Sequence, residues 1–189
     1  LGLMEGHRGV TDLLEATRLL AGEGVRLQVD FVGGGRDLPS FRQQAEAAGL
    51  RAPVVRFHGQ VSHAEALDLM RRNQVGVIPH HPRESWNTTI PNKLFDYMAA
   101  GLAVVSSNAI PAERVVRETG TGLIYKGGDP GALAASLRRM TDRSQLDAYR
   151  MAGQVAVRTK YNWSLDSTKL LKLATNLVGN PRDVVRGAP

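Results

Sequence analysis

Two short stretches of this chain, Val75–Ile78 and residues 102–105, carry no polar side chain at all. A strand with one wet face alternates polar and apolar residues. A strand without a polar position is covered on both faces, as in a parallel sheet flanked by helices. The surrounding pattern agrees. Residues 25–32 read as a strand closed by Gly33, Gly34 and Gly35, residues 38–48 as a helix ending at Gly49, and residues 54–58 as a strand closed by Gly59. Ser62 and Glu65 have the spacing of a capping box, which starts a helix over residues 64–72. Val75–Ile78 ends at Pro79; a helix over 91–100 has Pro91 early and Gly101 at its end. Strands at 102–106 and 122–125 follow, and Asp129-Pro130 opens another helix. From residue 143 the pattern is helical throughout. The fold class expected is therefore α/β, a doubly wound parallel sheet with C-terminal helices. One domain covers residues 1–179, and 180–189 read as a flexible tail.

The 189 residues suit one domain. With no cysteine, disulfides, thiolate zinc sites and cysteine nucleophiles are excluded, and a reducing compartment fits. The net charge of +6 attracts anions. The basic residues are scattered and aromatic platforms are few, which argues against nucleic acid. No apolar run reaches the roughly 20 residues of a membrane span. The first residues lack the order of a signal peptide; residues 1–4 read as the tail of a strand in a fragment of a longer protein.

In such a sheet, ligands sit beyond the carboxyl ends of the strands, so the loops at 33–37, 59–62, 79–91 and 106–111 frame the site. The triple glycine fits G-x-G, but Leu38 stands at the third glycine position and no acid ends the next strand, so a tight turn is the better reading. There is no P-loop, no H-E-x-x-H, no nucleophile elbow and no histidine–carboxylate set at metal-ligand spacing, so no metal is expected. Two sequons, at Asn87 and Asn162, read as chance matches.

One stretch carries chemistry. Glu84-Ser85-Trp86-Asn87-Thr88-Thr89-Ile90 is a polar loop feeding the helix at Pro91. Free N–H groups of the first helical turn, the helix dipole and the hydroxyls of Thr88 and Thr89 form an anion pocket. Leu94 and Met98 fall on the face toward the sheet, Asn92 and Asp96 on another. From spacing alone Asp96 either accepts from the two hydroxyls of a ribose or pairs with Lys93 on a wet surface.

Residues 91–106, beginning Pro91-Asn92-Lys93-Leu94-Phe95-Asp96-Tyr97-Met98-Ala99-Ala100-Gly101, closely resemble the nucleotide-binding segment of group 1 (family 4) glycosyltransferases of bacterial polysaccharide synthesis. His7-Arg8-Gly9, Phe31-Val32-Gly33-Gly34-Gly35, Phe57-His58-Gly59-Gln60-Val61 and Gly122-Leu123-Ile124-Tyr125 resemble its other junctions in the right order, over roughly 1–140. The resemblance implies the second Rossmann-like domain of a GT-B enzyme, which holds the nucleotide-sugar donor. It implies retaining transfer from a nucleotide diphosphate sugar, with UDP expected as the nucleotide, no cofactor and no essential metal. An upstream domain would bring the acceptor site and the catalytic histidine.

By that resemblance Arg8 stabilises the leaving diphosphate. Gly59, Gln60 and Val61 read the base, Asp96 holds the ribose, and Thr88, Thr89 and the N–H of Ile90 meet the diphosphate with Lys93. Two departures stand out. Thr88 occupies the position of the first acid of the family's E-x7-E motif, with Glu84 displaced by four, and no second basic residue lies in residues 1–4. Glu113 reads as a helix-start acid without a ligand role. The partners implied are the donor, a glycan or lipid-linked acceptor such as a capsule precursor, and the missing acceptor domain. The location implied is cytoplasmic, with contact to the inner membrane surface through the basic charge. A non-catalytic nucleotide-binding module and half of a nucleotide-sugar epimerase share the architecture and remain open at this point.

Overall fold

The structure is a computed structural model and describes residues 1–178. The strands are β1 (Val29–Val32), β2 (Val55–Gly59), β3 (Val75–Ile78), β4 (Ala103–Ser107) and β5 (Gly122–Tyr125). The helices are α1 (Val10–Gly22), α2 (Leu38–Ala47), α3 (His63–Arg72), α4 (Glu84–Asn87), α5 (Lys93–Ala100), α6 (Ile110–Thr119), α7 (Pro130–Arg139), α8 (Arg143–Thr159) and α9 (Trp163–Val178). Every strand pairing is parallel, in two ladders: β1 with β2, and β3-β4-β5 with β4 at the centre.

β4 shows why the apolar runs have no wet side. All five of its residues are buried. Ala103 and Val105 enter one core with Leu13 and Leu20 of α1 and Leu133 of α7. Val104 enters a second core with Leu94 and Met98 of α5 and Val115 of α6. Each fully buried leucine or valine contributes about 1.5–3 kcal/mol, so a polar residue at either face of β4 would forfeit a core contact. Leu94 and Met98 are both fully buried, as the i,i+4 spacing requires.

The caps follow from the sequence. Ser62 and Glu65 form the complete capping box, the Asp129 carboxylate accepts from the Ala132 N–H, and Gly101 closes α5 in the left-handed conformation. The differences from expectation are local. The first strand starts at Val29, not at residue 25: the Val25 N–H is taken by the Leu20 carbonyl at the end of α1, and 26–28 find no ladder partner. The helix expected from Pro91 starts at Lys93, because Pro91 and Asn92 form a tighter turn in which the Leu94 N–H donates to the Pro91 carbonyl at 2.9 Å. Residues 1–4 form no strand, yet the N–H groups of Gly2 and Met4 donate to the carbonyls of Val32 and Gly34, both at 2.8 Å. A Cβ at Gly33 or Gly35 would strike that segment, which fixes the triple glycine as a close-packed turn. The expected tail, 180–189, lies outside the described residues.

Candidate functional site

Because all ladders are parallel, the exits of the strands share one edge within each ladder. At the exit of β3 the chain passes through Pro79 and His80. The turn before α1 lies directly against it. Gly9 has φ 70°, and a Cβ there would collide with the Pro79 carbonyl. This close approach sets Arg8 beside the loop after β3. Its guanidinium carbon lies 5.2 Å from the centre of the Trp86 ring, and Trp86 stacks on His80 with ring centres 4.0 Å apart. The Lys93 ammonium, at the start of α5, lies 3.3 Å from Nε2 of His80. Arg8 Nε reaches Glu5 at 3.4 Å, and Glu5 also meets His7 at 3.5 Å. Among the described residues Lys93 has no carboxylate within ion-pairing distance.

The electrostatics follow from that imbalance. Burial, and then the Arg8 charge, push Lys93 down from 10.5 to about 8. Burial, followed by Lys93, Arg8, His7 and the α-amine of Leu1, pushes His80 down to about 3. His80 is therefore neutral, and its unprotonated nitrogen accepts from Lys93. With Glu5 on Arg8 and no acid on Lys93, the two cations favour an anion, which would offset the burial and the Arg8 repulsion that hold Lys93 down.

Asp96 stands one turn into α5, and its carboxylate makes no hydrogen bond or ion pair among the described residues. Burial raises its carboxyl above the usual carboxylate range, opposed by the charge of His63 at the start of α3. The pairing with Lys93 that spacing alone allowed does not form, since Lys93 turns to His80. Gly59, Gln60 and Val61 connect β2 to α3. Gly59 has φ 73°, and the space where a Cβ would sit is open.

The anion pocket is built differently from expectation in two respects. The N–H groups of Leu94, Phe95 and Asp96 already donate to the carbonyls of Pro91 and Asn92. Among the described residues the unpartnered donors are instead those of Thr89, Ile90, Asn92 and Lys93, upstream of the first full turn. The Thr88 hydroxyl, expected at the diphosphate, donates to the Glu84 carbonyl at 3.1 Å, because α4 ends there and leaves that carbonyl open. Thr89 is exposed. Glu113 pairs with Arg117 at 2.7 Å on α6. Among the described residues no group of three or more histidine or acidic side chains is placed to hold a metal.

Sequence reasoning missed His80 and Trp86. The signal for His80 was its place directly after a parallel strand. Trp86 had none, since the short helix α4 that carries it has no periodicity to read. Its indole N–H is buried without a partner.

The profile of the family described as "Glycosyl transferases group 1" matches residues 1–143. The chain belongs to the group 1 glycosyltransferases. Among relatives of this chain, the phosphatidyl-myo-inositol mannosyltransferase of Mycolicibacterium smegmatis is 30% identical over 175 residues, 93% of this chain and 43% of that protein. The chain thus spans less than half the length of that relative. Among solved structures, Anabaena Alr3699/HepE in complex with UDP superposes with a TM-score of 0.78 at 17% identity, over 93% of this chain and 48% of the other. The C-terminal domain of a group 1 family protein (LpcC) from Francisella tularensis superposes at 0.75 with 18% identity, over 86% of this chain and 84% of the other. These two likenesses establish a glycosyltransferase fold of the GT-B type for this domain.

Proposed function

We propose that this domain binds the nucleotide-sugar donor of a retaining glycosyltransferase and stabilises the departing diphosphate. The observation that carries the reading is Arg8 over Trp86 and Lys93 on neutral His80, the two rings stacked, with Glu5 alone among the described residues to balance the two cations. The N–H groups of Thr89, Ile90, Asn92 and Lys93 add donors to the same mouth. When the bond between the anomeric carbon and the diphosphate oxygen breaks, negative charge grows on that oxygen. Fixed cations in a partly dry site stabilise this charge more than they stabilise the bound donor. Asp96 accepts from the ribose hydroxyls, and Gly59, Gln60 and Val61 lie along the base. The sugar joins an acceptor held by a further domain.

UDP is the nucleotide proposed, supported by the UDP held in the Anabaena protein. A lipid-linked or glycan acceptor at the inner membrane surface is supported by the lipid named in the mannosyltransferase relative. The exposed Trp163, Leu170, Leu171 and Leu173 of α9, beside Lys169 and Lys172, also suit such a surface. No helix among the described residues is long and apolar enough to cross a membrane.

Titration calorimetry with UDP, GDP, UMP and pyrophosphate tests the proposal. UDP is expected to bind at least about tenfold more tightly than UMP, a difference of about 1.4 kcal/mol. Absence of binding by every nucleoside diphosphate overturns it.

A further inference from the structure

The loop after β3 carries a second histidine that the anion mouth does not use. His80 meets Lys93 of α5, whereas Nε2 of His81 lies 2.7 Å from Oδ2 of Asp12, in the first turn of α1. The partners differ in exposure: the Asp12 side chain is 11% exposed and that of His81 41%. Tyr125, the last residue of β5, has a buried hydroxyl without a partner. Burial, and then the Asp12 charge, push that hydroxyl above its usual range, so it shares the corner that shields the carboxylate. Among the described residues His81 is the one hydrogen-bond partner of the Asp12 carboxylate. A buried carboxylate is unfavourable unless paired, and an apolar pair would fill the corner at least as well. What the pair supplies is orientation of the imidazole.

The backbone beneath His81 is fixed as well. Gly9 abuts Pro79, the Ser107 hydroxyl holds the His80 carbonyl, and a Cβ on Gly127 would strike Pro82. With the Nε2–H given to Asp12, a neutral imidazole carries its lone pair on Nδ1. Among the described residues Nδ1 has no hydrogen-bond partner, and the ring is half-exposed. A lone pair there accepts from a hydroxyl and repels a phosphate oxygen, which offers lone pairs only.

The order of groups along the mouth identifies the owner of that hydroxyl. On the donor reading proposed above, on which this step rests, Asp96 takes the ribose and Lys93, three residues earlier on α5, the diphosphate. His80 meets Lys93, and His81 follows on the α1 side. In a nucleotide sugar, the group beyond the diphosphate is the sugar. We infer that His81 is a sugar-binding residue, whose Nδ1 accepts from a hydroxyl of the transferred sugar, and that Asp12 is the positioning residue that sets its tautomer and ring plane. A sugar lacking that hydroxyl leaves the lone pair without a donor and is disfavoured.

Titration calorimetry with UDP-glucose, UDP-galactose, UDP-N-acetylglucosamine and GDP-mannose selects the tightest as the probe, with its own nucleoside diphosphate as the reference. His81→Gln is the decisive variant, because its amide N–H still reaches Asp12 while nothing stands in the place of Nδ1. It is expected to bind the nucleotide sugar about fivefold more weakly, and the nucleoside diphosphate within about twofold of the parent chain. Asp12→Ala, which releases the ring, is expected to show the same split. Undiminished sugar-nucleotide affinity in either variant overturns the inference. Equal losses of sugar nucleotide and nucleoside diphosphate also overturn it, and assign the pair a structural role. Nucleoside diphosphates that bind while all four sugar nucleotides fail overturn it too, and leave the diphosphate site standing. Failure of every nucleoside diphosphate overturns the donor reading itself.

Discussion

The Lys93 ammonium faces Nε2 of His80 at 3.3 Å, and the lone pair of a histidine, not a carboxylate, is its partner. A neutral partner leaves the positive charge available to a ligand. The Lys93→Gln variant is therefore expected to lose at least about tenfold in UDP affinity, or about 1.4 kcal/mol. Its melting temperature should stay within a few degrees, because a desolvated cation has been removed. Calorimetry with paired melting curves reads both.

Burial of Lys93, and then the Arg8 charge, make affinity depend on alkaline pH. Free Lys93 titrates near 8, below its usual 10.5, and a bound diphosphate favours the charged form. Between the free and the bound pKa, binding takes up a proton. UDP affinity should then be flat near pH 7 and fall above about pH 8, by at most about tenfold per pH unit. Titrations from pH 6.5 to 9.5 check this, and the Lys93→Gln variant should show no such fall.

His80 predicts an acid limb in stability. It titrates near 3 in the fold and near 6.5 when unfolded. Between those values the unfolded chain holds the extra proton. Stability contributed by neutral His80 is thus complete above pH 6.5 and declines as pH falls toward 3, by at most about 1.4 kcal/mol per pH unit. Urea unfolding at pH 4, 5 and 7 should show the His80→Gln chain with a shallower decline.

Asp96 is separable from the diphosphate by changing the sugar of the ligand. The Asp96→Ala chain is expected to bind UDP about tenfold less well. A 2′,3′-dideoxy diphosphate should bind both chains alike, because the hydroxyls proposed to donate to Asp96 are gone. An equal loss for both ligands would assign Asp96 a purely structural role.

Two glycines with similar backbone angles should behave differently. Gly9→Ala forces a Cβ into the Pro79 carbonyl and adds left-handed strain. A loss of at least about 2 kcal/mol is expected, or a melting point lowered by about 4–8 °C. Gly59→Ala meets open space, so only the strain of about 1–2 kcal/mol remains, together with weaker nucleotide binding. Melting curves of both variants, with and without UDP, distinguish them.

Much of this was readable from residues. The runs at β3 and β4 have no wet face because each strand feeds two cores, and that requirement is written in consecutive apolar residues. Gly101, Asp129 and the Ser62–Glu65 box mark ends by local chemistry. What escaped depends on contacts distant in sequence. Whether Lys93 pairs with Asp96 or with His80 is decided by where the loop after β3 places His80, thirteen residues upstream. The Thr88 hydroxyl is drawn back by a four-residue helix too short to announce itself. The late start of β1 reflects the Val25 N–H being held by the Leu20 carbonyl and 26–28 lacking a ladder partner, which no pattern within 25–28 encodes.

Ser107, the last residue of β4, is fully buried and its hydroxyl donates to the His80 carbonyl at 2.5 Å. The two strand exits are thereby fastened together beneath the cation pair. Arg8 has no such fastening: it reaches in from a three-residue turn held by Glu5 and the face of Trp86. The two cations thus rest on unlike supports, the lysine above bonded strand exits and the arginine on a separate turn, so each can be altered without rebuilding the footing of the other.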